Sequence, residues 1–341
     1  MDYSGTTVAL DGFGVEGGFD VLEAGIREAA ADGVKLRVFG PEDRLDLGGI
    51  EGVTLIDTVE SITNEDDPVS SVRSRNDASI VRAVADAAAG DSEGVVSLGS
   101  TGATMAAATF GLKRSRGVKR PALAAQVPVP GKAVLFLDVG ANLDVRAQHL
   151  VQFAWLGMAF TRAVLGVESP RVGLLSVGEE EGKGRDSVVE ANAILSRSPE
   201  IDFVGNVEGG DIPAGTADVV VTDGFTGNIV TKTMEGTAKA VGLAISGAAR
   251  KNPVSAVGGL MMKPALGGLR RDLHPDSTGG AILLGLRKVA VVGHGSSGAE
   301  GVANAIRVAA RAAAVDSPGR TEEMLHRVGA NRGAINSGED S

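Results

Sequence analysis

The sequence predicts an α/β protein, a Rossmann-like three-layer αβα sandwich with a mostly parallel central sheet. Three observations predict it. Short runs rich in β-branched residues alternate with alanine-rich stretches of helical period, as βαβ units do when helices cover both faces of a sheet. Apolar residues make up 43% of the chain but aromatics only 3%, so the core must be tightly packed layers of Val, Ala, Leu and Ile. Glycine contributes 49 of 341 residues, so many connections need unusual backbone angles or a close approach to a neighbour or ligand.

Taken in order, residues 6–10 read as a strand and 21–31 as a helix, followed by a strand at 36–40. The run at 94–98 leads into a helical pattern at 101–112, and 133–139 leads into 150–165. A strand at 172–177 precedes a helix at 187–196. Residues 202–204 and 218–222 are further strands, and 227–248 has the composition of a long helix. The last unit is a strand at 289–292, a Gly/Ser-rich turn and a helix at 300–314. No linker or repeat divides residues 1–328, which are expected to form one α/β domain whose two lobes share a continuous sheet. Residues 329–341, rich in Asn, Gly, Ser and acids, are expected to be a disordered tail. The least regular interior segment is 251–276, where the apolar runs 257–262 and 264–269 are flanked by Arg250, Lys251, Lys263, Arg270 and Arg271. Such a segment suits an anionic membrane surface or, equally, a dimer interface.

The formal net charge of −10, with one Trp and one Tyr, argues against nucleic acid as a partner. The chain has no cysteine, which excludes disulfides, thiolate metal sites and a cysteine nucleophile. No basic leader or run of about 18 apolar residues is present, so a cytoplasmic location is expected. Phosphate-loop, zinc-helix and nucleophile-elbow motifs are all missing.

Chemistry is instead expected in polar, glycine-jointed loops at strand ends, where open α/β sheets bind ligands. Two of them flank the strand at 218–222. One holds Asn206 and Glu208, the other Asp223 and Asn228. The turn of Gly99, Ser100, Thr101 and Gly102 opens a helix, a geometry that offers free N–H groups to an anion. Asp138 and Asn142 follow another strand, although an Asn there can simply cap a helix. Glu179, Glu180 and Glu181 stand side by side with Lys183 as the nearest counter-charge, a constellation that also fits a solvated charge run. His294 and Ser296 lie in the last glycine-rich loop, and Asp11 and Gly14 in the first. The first loop lacks full G-x-G-x-x-G spacing, so NAD binding is unsupported.

Read in order, these loops resemble the phosphate acyltransferase (PlsX) family over nearly the whole chain. The likeness runs through S-L-G-S-T-G-A at 97–103, L-D-V-G-A-N at 137–142, H-L-V-Q-F-A at 149–154 and R-V-G-L-L-S-V-G-E-E-E-x-K-G ending at Gly184. It continues with G-N-V-E-G at 205–209, A-D-V-V-V-T-D-G-F-T-G-N at 217–228, Gly279-Gly280-Ala281 and H-G-S-S at 294–297. Departures are Gly12 to Glu16 in place of A-M-G-G-D after Asp11, Ser100 for Asn, and Ile282 for Pro. They leave room for an altered donor preference.

The resemblance implies transfer of a fatty acyl group from acyl-acyl carrier protein to inorganic phosphate, giving acyl phosphate for phospholipid synthesis. It implies no cofactor, a homodimer, and a fold related to the isocitrate and isopropylmalate dehydrogenases. On this reading Lys183, His294 and the Gly99–Gly102 amides hold phosphate. Asn142 and Asn228 orient the thioester carbonyl or stabilise its oxyanion, and Asp138, Glu180, Glu208 and Asp223 orient those donors. The basic cluster of residues 113–120 is a candidate dock for the acidic carrier. Two alternatives remain open: a phosphotransacetylase-like enzyme using acyl-CoA, and a catalytically silent membrane- or carrier-binding scaffold.

Overall fold

The computed structural model describes residues 3, 5–272 and 274–328, so the tail expected at 329–341 lies outside the described residues. The first third comprises β1 (Thr7–Asp11), α1 (Phe19–Ala31), β2 (Lys35–Gly40), β3 (Val53–Asp57), α2 (Pro68–Ser74), α3 (Ser79–Ala89), β4 (Gly94–Ser97) and α4 (Thr101–Gly111). Then come β5 (Ala122–Val129), β6 (Lys132–Leu137), α5 (Ala147–Ala163), β7 (Arg171–Leu175), α6 (Asp186–Leu195), β8 (Asp202–Val207), α7 (Asp211–Ala214) and β9 (Val219–Val221). The chain continues through α8 (Gly224–Ala249), α9 (Pro253–Asp272), β10 (Ala281–Leu284), β11 (Val289–Val292), α10 (Ala299–Ala314) and α11 (Ser317–Arg327).

The eleven strands of the described residues form one sheet in the order β3-β2-β1-β4-β11-β10-β5-β6-β9-β7-β8. Alternation along each strand builds two separate cores. In β1, Val8 and Leu10 enter one core and Ala9 the other; in β11, Val289 and Val291 oppose Ala290 and Val292. The first core takes its helical share from α1, α5, α6, α10 and α11, the second from α2, α3, α4, α7 and the start of α8. The three-layer expectation therefore holds.

The sheet is parallel except in its middle. β10 is antiparallel to β11 and to β5, and β5 is antiparallel to β6. Three successive reversals invert the polarity between the two halves. The C-terminal ends of β1, β4 and β11 face one end of the sheet, and those of β6, β7, β8 and β9 face the other.

A strand twist of about 20–25° per step turns the halves by roughly 80–100° over the four steps from β11 to β9, so the two sets of loops are not diametrically opposed. One helix spans the gap between them. Asp223 caps α8, its carboxylate accepting from the Thr226 N–H at 2.8 Å. From there the helix runs 26 residues, about 39 Å. Val230 and Met234 pack into the second core, whereas beyond Glu235 nearly every residue is exposed.

The segment expected to be irregular is mostly helical. Four described glycines in α9 lower its intrinsic helix propensity, which is why the sequence misleads. Gly259 has a packing reason, since a Cβ there would stand 2.7 Å from Ala249 Cβ on α8. The resulting α8–α9 hairpin exposes Val241, Leu243, Val254, Val257, Leu260, Met261 and Met262.

Candidate active site

The loops after β1, β4 and β11 close into one cradle. Gly14 adopts φ +92°, and a Cβ there would lie 2.2 Å from Gly99 Cα, so only glycine permits this approach. The Glu16 N–H donates to the Gly295 carbonyl at 2.8 Å, and the Gly293 N–H to the Ser97 carbonyl at 2.8 Å.

Asp11 is buried beneath the cradle. Its carboxylate accepts from Ser79 Oγ at 2.6 Å, Ser97 Oγ at 2.7 Å and the Phe13 N–H at 3.3 Å. Burial pushes its pKa up, partly offset by those three donors. Asp11 thus shapes the cradle from below. Ser100 caps α4 at 3.5 Å from the Ala103 N–H, a task open to the family's Asn as well. Thr101 and Gly102 form the first turn of α4, where N–H groups lack helical partners.

His294 is exposed at the rim, with Nδ1 2.7 Å from Ser296 Oγ and Nε2 3.3 Å from Lys232 Nζ on α8. Lys232 was not singled out in the sequence. The signal was available, because it stands four residues after Asn228 and so shares a helical stripe with it.

The loops after β6 and β9 form a second group. Asp138 is fully buried and accepts from the N–H groups of Leu123, Gly140, Ala141 and Asn142 at 3.2, 3.0, 2.9 and 2.8 Å. Burial raises its pKa against those bonds. Asn142 Nδ2 donates to Asp138 Oδ2 at 2.6 Å and to the Pro121 carbonyl at 2.7 Å. Both amide protons are engaged, so the expected oxyanion role does not fit Asn142, which braces the loop instead. The Asn142 backbone carbonyl in turn accepts from the Gly224 N–H at 2.7 Å, docking the start of α8. Gly227 passes so close to the Asp138 carbonyl that a Cβ would stand 1.8 Å from it.

Asp223 caps α8 and also accepts from Arg185 Nη1 at 3.2 Å, which ties the loop after β7 to that helix. Asn206 lies on β8 rather than in a loop; its Nδ2 donates to the Glu180 carbonyl in the loop after β7 at 2.8 Å, and its Oδ1 accepts from Asn192 on α6 at 2.9 Å. Ser176 Oγ donates to the Lys183 carbonyl at 2.9 Å. The backbones of Glu180 and Lys183 are thus fixed, while among the described residues the Lys183 ammonium has no hydrogen bond or ion pair. Glu208 holds its place through its backbone N–H to Asp211 at 2.8 Å and contacts none of the expected donors. Asn228 is exposed on α8, and its side-chain amide is unengaged among the described residues.

The predicted residues therefore fall into a glycine cradle (Asp11, Gly14, Gly99 to Gly102, His294, Ser296) and a polar group (Asp138, Asn142, Glu180, Lys183, Asn206, Asp223). Asn228 lies on the helix that links them. The expected joint clamp of Lys183 and His294 is not formed by any described contact.

The basic cluster forms part of a separate cavity of about 440 Å³ lined by Lys113, Arg114, Arg116 and Arg287 with Thr109, Ser115 and Gly117. It is a built surface. Ser115 N–H and Oγ donate to the Gly285 and Leu286 carbonyls at 3.0 and 2.8 Å, and Arg287 Nε donates to the Arg114 carbonyl at 3.2 Å. No described helix is long and apolar enough to cross a membrane.

The model of the fatty acid synthesis protein family matches residues 6–320. A protein of Elusimicrobium minutum (strain Pei191) named phosphate acyltransferase is 46% identical over 267 residues, covering 78% of each chain. One of the same name from Oceanobacillus iheyensis is 38% identical over 330 residues, covering 93% of this chain and 99% of its own. Among solved structures, a phosphotransacetylase from Streptococcus pyogenes superposes with a TM-score of 0.60 at 20% identity, covering 92% of this chain and 95% of the other. At that identity the likeness is one of fold.

Proposed function

Because the chain belongs to the fatty acid synthesis protein family, and its relatives are named phosphate acyltransferases, we propose that it transfers a fatty acyl group from a thioester to inorganic phosphate. The product is acyl phosphate for phospholipid synthesis. In the reaction a hydrogen phosphate oxygen forms a bond to the thioester carbonyl carbon and the C–S bond breaks. The sulfur leaves with the electron pair and takes up the proton that phosphate carried, so the −2 charge passes to acyl phosphate. Near neutral pH much of the phosphate is already dianionic and the thiol is a tolerable leaving group, so the protein mainly positions groups and stabilises charge.

The observation that carries the reading is the unengaged Asn228 amide on α8, between the loop of Lys183 and the glycine cradle. Asn228 is the donor for the carbonyl oxygen as it becomes an oxyanion. Lys183 and the cradle amides supply positive potential to the phosphate.

The donor is an acyl carrier protein docked on the cationic face of Lys113, Arg114, Arg116 and Arg287. The exposed apolar residues of the α8–α9 hairpin serve a homodimer contact and peripheral association with a membrane. Purified protein incubated with acyl-acyl carrier protein and radiolabelled phosphate should yield labelled acyl phosphate. None with any of several acyl lengths would refute the reaction, whereas labelling from acyl-CoA alone would replace the carrier as donor.

A further inference from the structure

We propose that Lys232 is a phosphate-holding residue of this transfer, carried by α8 to the rim of the glycine cradle. The inference rests on the acyl-transfer reading and adds to it a cation that neither the sequence motifs nor the relatives' names assign.

Proton accounting supports it. An ammonium has three protons and no lone pair. Lys232 Nζ gives one proton to Glu235 Oε2 at 2.9 Å and faces His294 Nε2 at 3.3 Å. His294 is held in turn by Ser296, whose N–H donates to Nδ1 at 3.3 Å and whose Oγ lies 2.7 Å from it. With one proton on Glu235 and one facing the imidazole, the third lysine N–H is unengaged among the described residues. Glu235 holds the lysine in place before any ligand arrives. The ammonium protons not given to Glu235 are open to an oxyanion at the rim of the cradle.

Helix geometry supports it independently. Lys232 follows Asn228 by four residues, so the two side chains lie on one stripe about 6 Å apart. That spacing suits a nucleophile held by one residue and a carbonyl oxygen held by the other. The stripe is fixed at its base by the Asp223 cap and the Gly224–Asn142 bond. His294 brings the cradle to it from the other half of the sheet.

The test compares the parent protein with Lys232→Gln, Lys232→Arg and, as a control elsewhere on α8, Lys239→Gln. Lys232→Gln should raise the phosphate KM about tenfold or more while the donor KM stays within about twofold, since a charge-assisted hydrogen bond is lost on one substrate only. Lys232→Arg should recover most of the loss, and Lys239→Gln should leave the phosphate KM unchanged. A normal phosphate KM in Lys232→Gln, or an equal rise in Lys239→Gln, would overturn the assignment. Thermal unfolding with inorganic phosphate against chloride at equal ionic strength reads binding without turnover. Phosphate should raise the midpoint of the parent and not of Lys232→Gln; equal shifts in both would overturn the assignment. If the parent binds phosphate through Lys232 yet turns over no thioester, the acyl-transfer reading fails and the phosphate site stands.

Discussion

Asn142 and Asp138 hold each other twice: the carboxylate accepts the asparagine backbone N–H at 2.8 Å and its side-chain amide at 2.6 Å. With the second amide proton on the Pro121 carbonyl, this pair locks the turn on which α8 begins.

Asn142 and Asn228 should consequently fail in different ways. Asn142→Ala leaves a buried carboxylate and a carbonyl short of donors and is expected to cost about 1–3 kcal/mol in urea unfolding. Asn228→Ala removes an unengaged, exposed amide. It should leave the unfolding midpoint in place while lowering kcat about a hundredfold. The reverse pattern would exchange the two roles.

Gly14→Ala tests the cradle. A side chain at φ +92° is strained, and the new carbon would overlap the Gly99 backbone, which cannot retreat as a flexible side chain can. We expect a loss of roughly 1–3 kcal/mol from the backbone angle alone, and a sharp rise in phosphate KM. Gly131→Ala, also at positive φ but with open space around its Cβ, should cost stability without changing that KM.

His149 sets a pH dependence. Burial, then the nearby Arg120, Lys119 and Arg146, lower its pKa to about 4 from an ordinary 6.5, and its Nδ1 accepts from the Arg146 N–H at 3.1 Å. The unfolded chain then binds a proton that the folded chain refuses between pH 6.5 and about 4, so stability falls as pH drops through that window. Replacing His149 with Gln should flatten this part of the curve of unfolding midpoint against pH. An unchanged slope would assign the loss to other groups.

The cationic face should be sensitive to the donor. Glutamate at Arg114 and Arg116 is expected to raise the apparent KM for a carrier-bound donor at low ionic strength, with the effect shrinking as salt screens the charges. The phosphate KM should not follow. An unchanged donor KM would remove this surface from donor recognition.

Most parallel units were legible because each couples a β-branched run to an amphipathic helix and a polar loop, although the parallel edge strand β3 and helices α2 and α3 were not read. β5 and β10 were not. β10 is four apolar residues with no period, and β5 is an alanine-rich run, neither followed by a helix. One overlooked signal was Pro130-Gly131, the pairing expected at the centre of a type II turn, where Gly131 has φ +83° between the paired residues Val129 and Lys132. Missing these strands hid the reversal of polarity, and with it the separation of Lys183 from His294. The loops themselves were found from residue type, but which amide is free and which is engaged depends on neighbours distant in sequence, 21 residues away for Asn142 and Pro121 and 26 for Asn206 and Glu180.

α8 also constrains how the chain can change in length. Each residue inserted in a helix rotates everything beyond it by about 100°. An insertion between Asp223 and Lys232 would swing the ammonium away from His294 even if every side chain were kept. Past Glu235 the helix touches little of the body, so whole turns can be gained or lost there in step with α9. Related chains should therefore show a gap-free register from 223 to 235 and variable spacing in the hairpin beyond it.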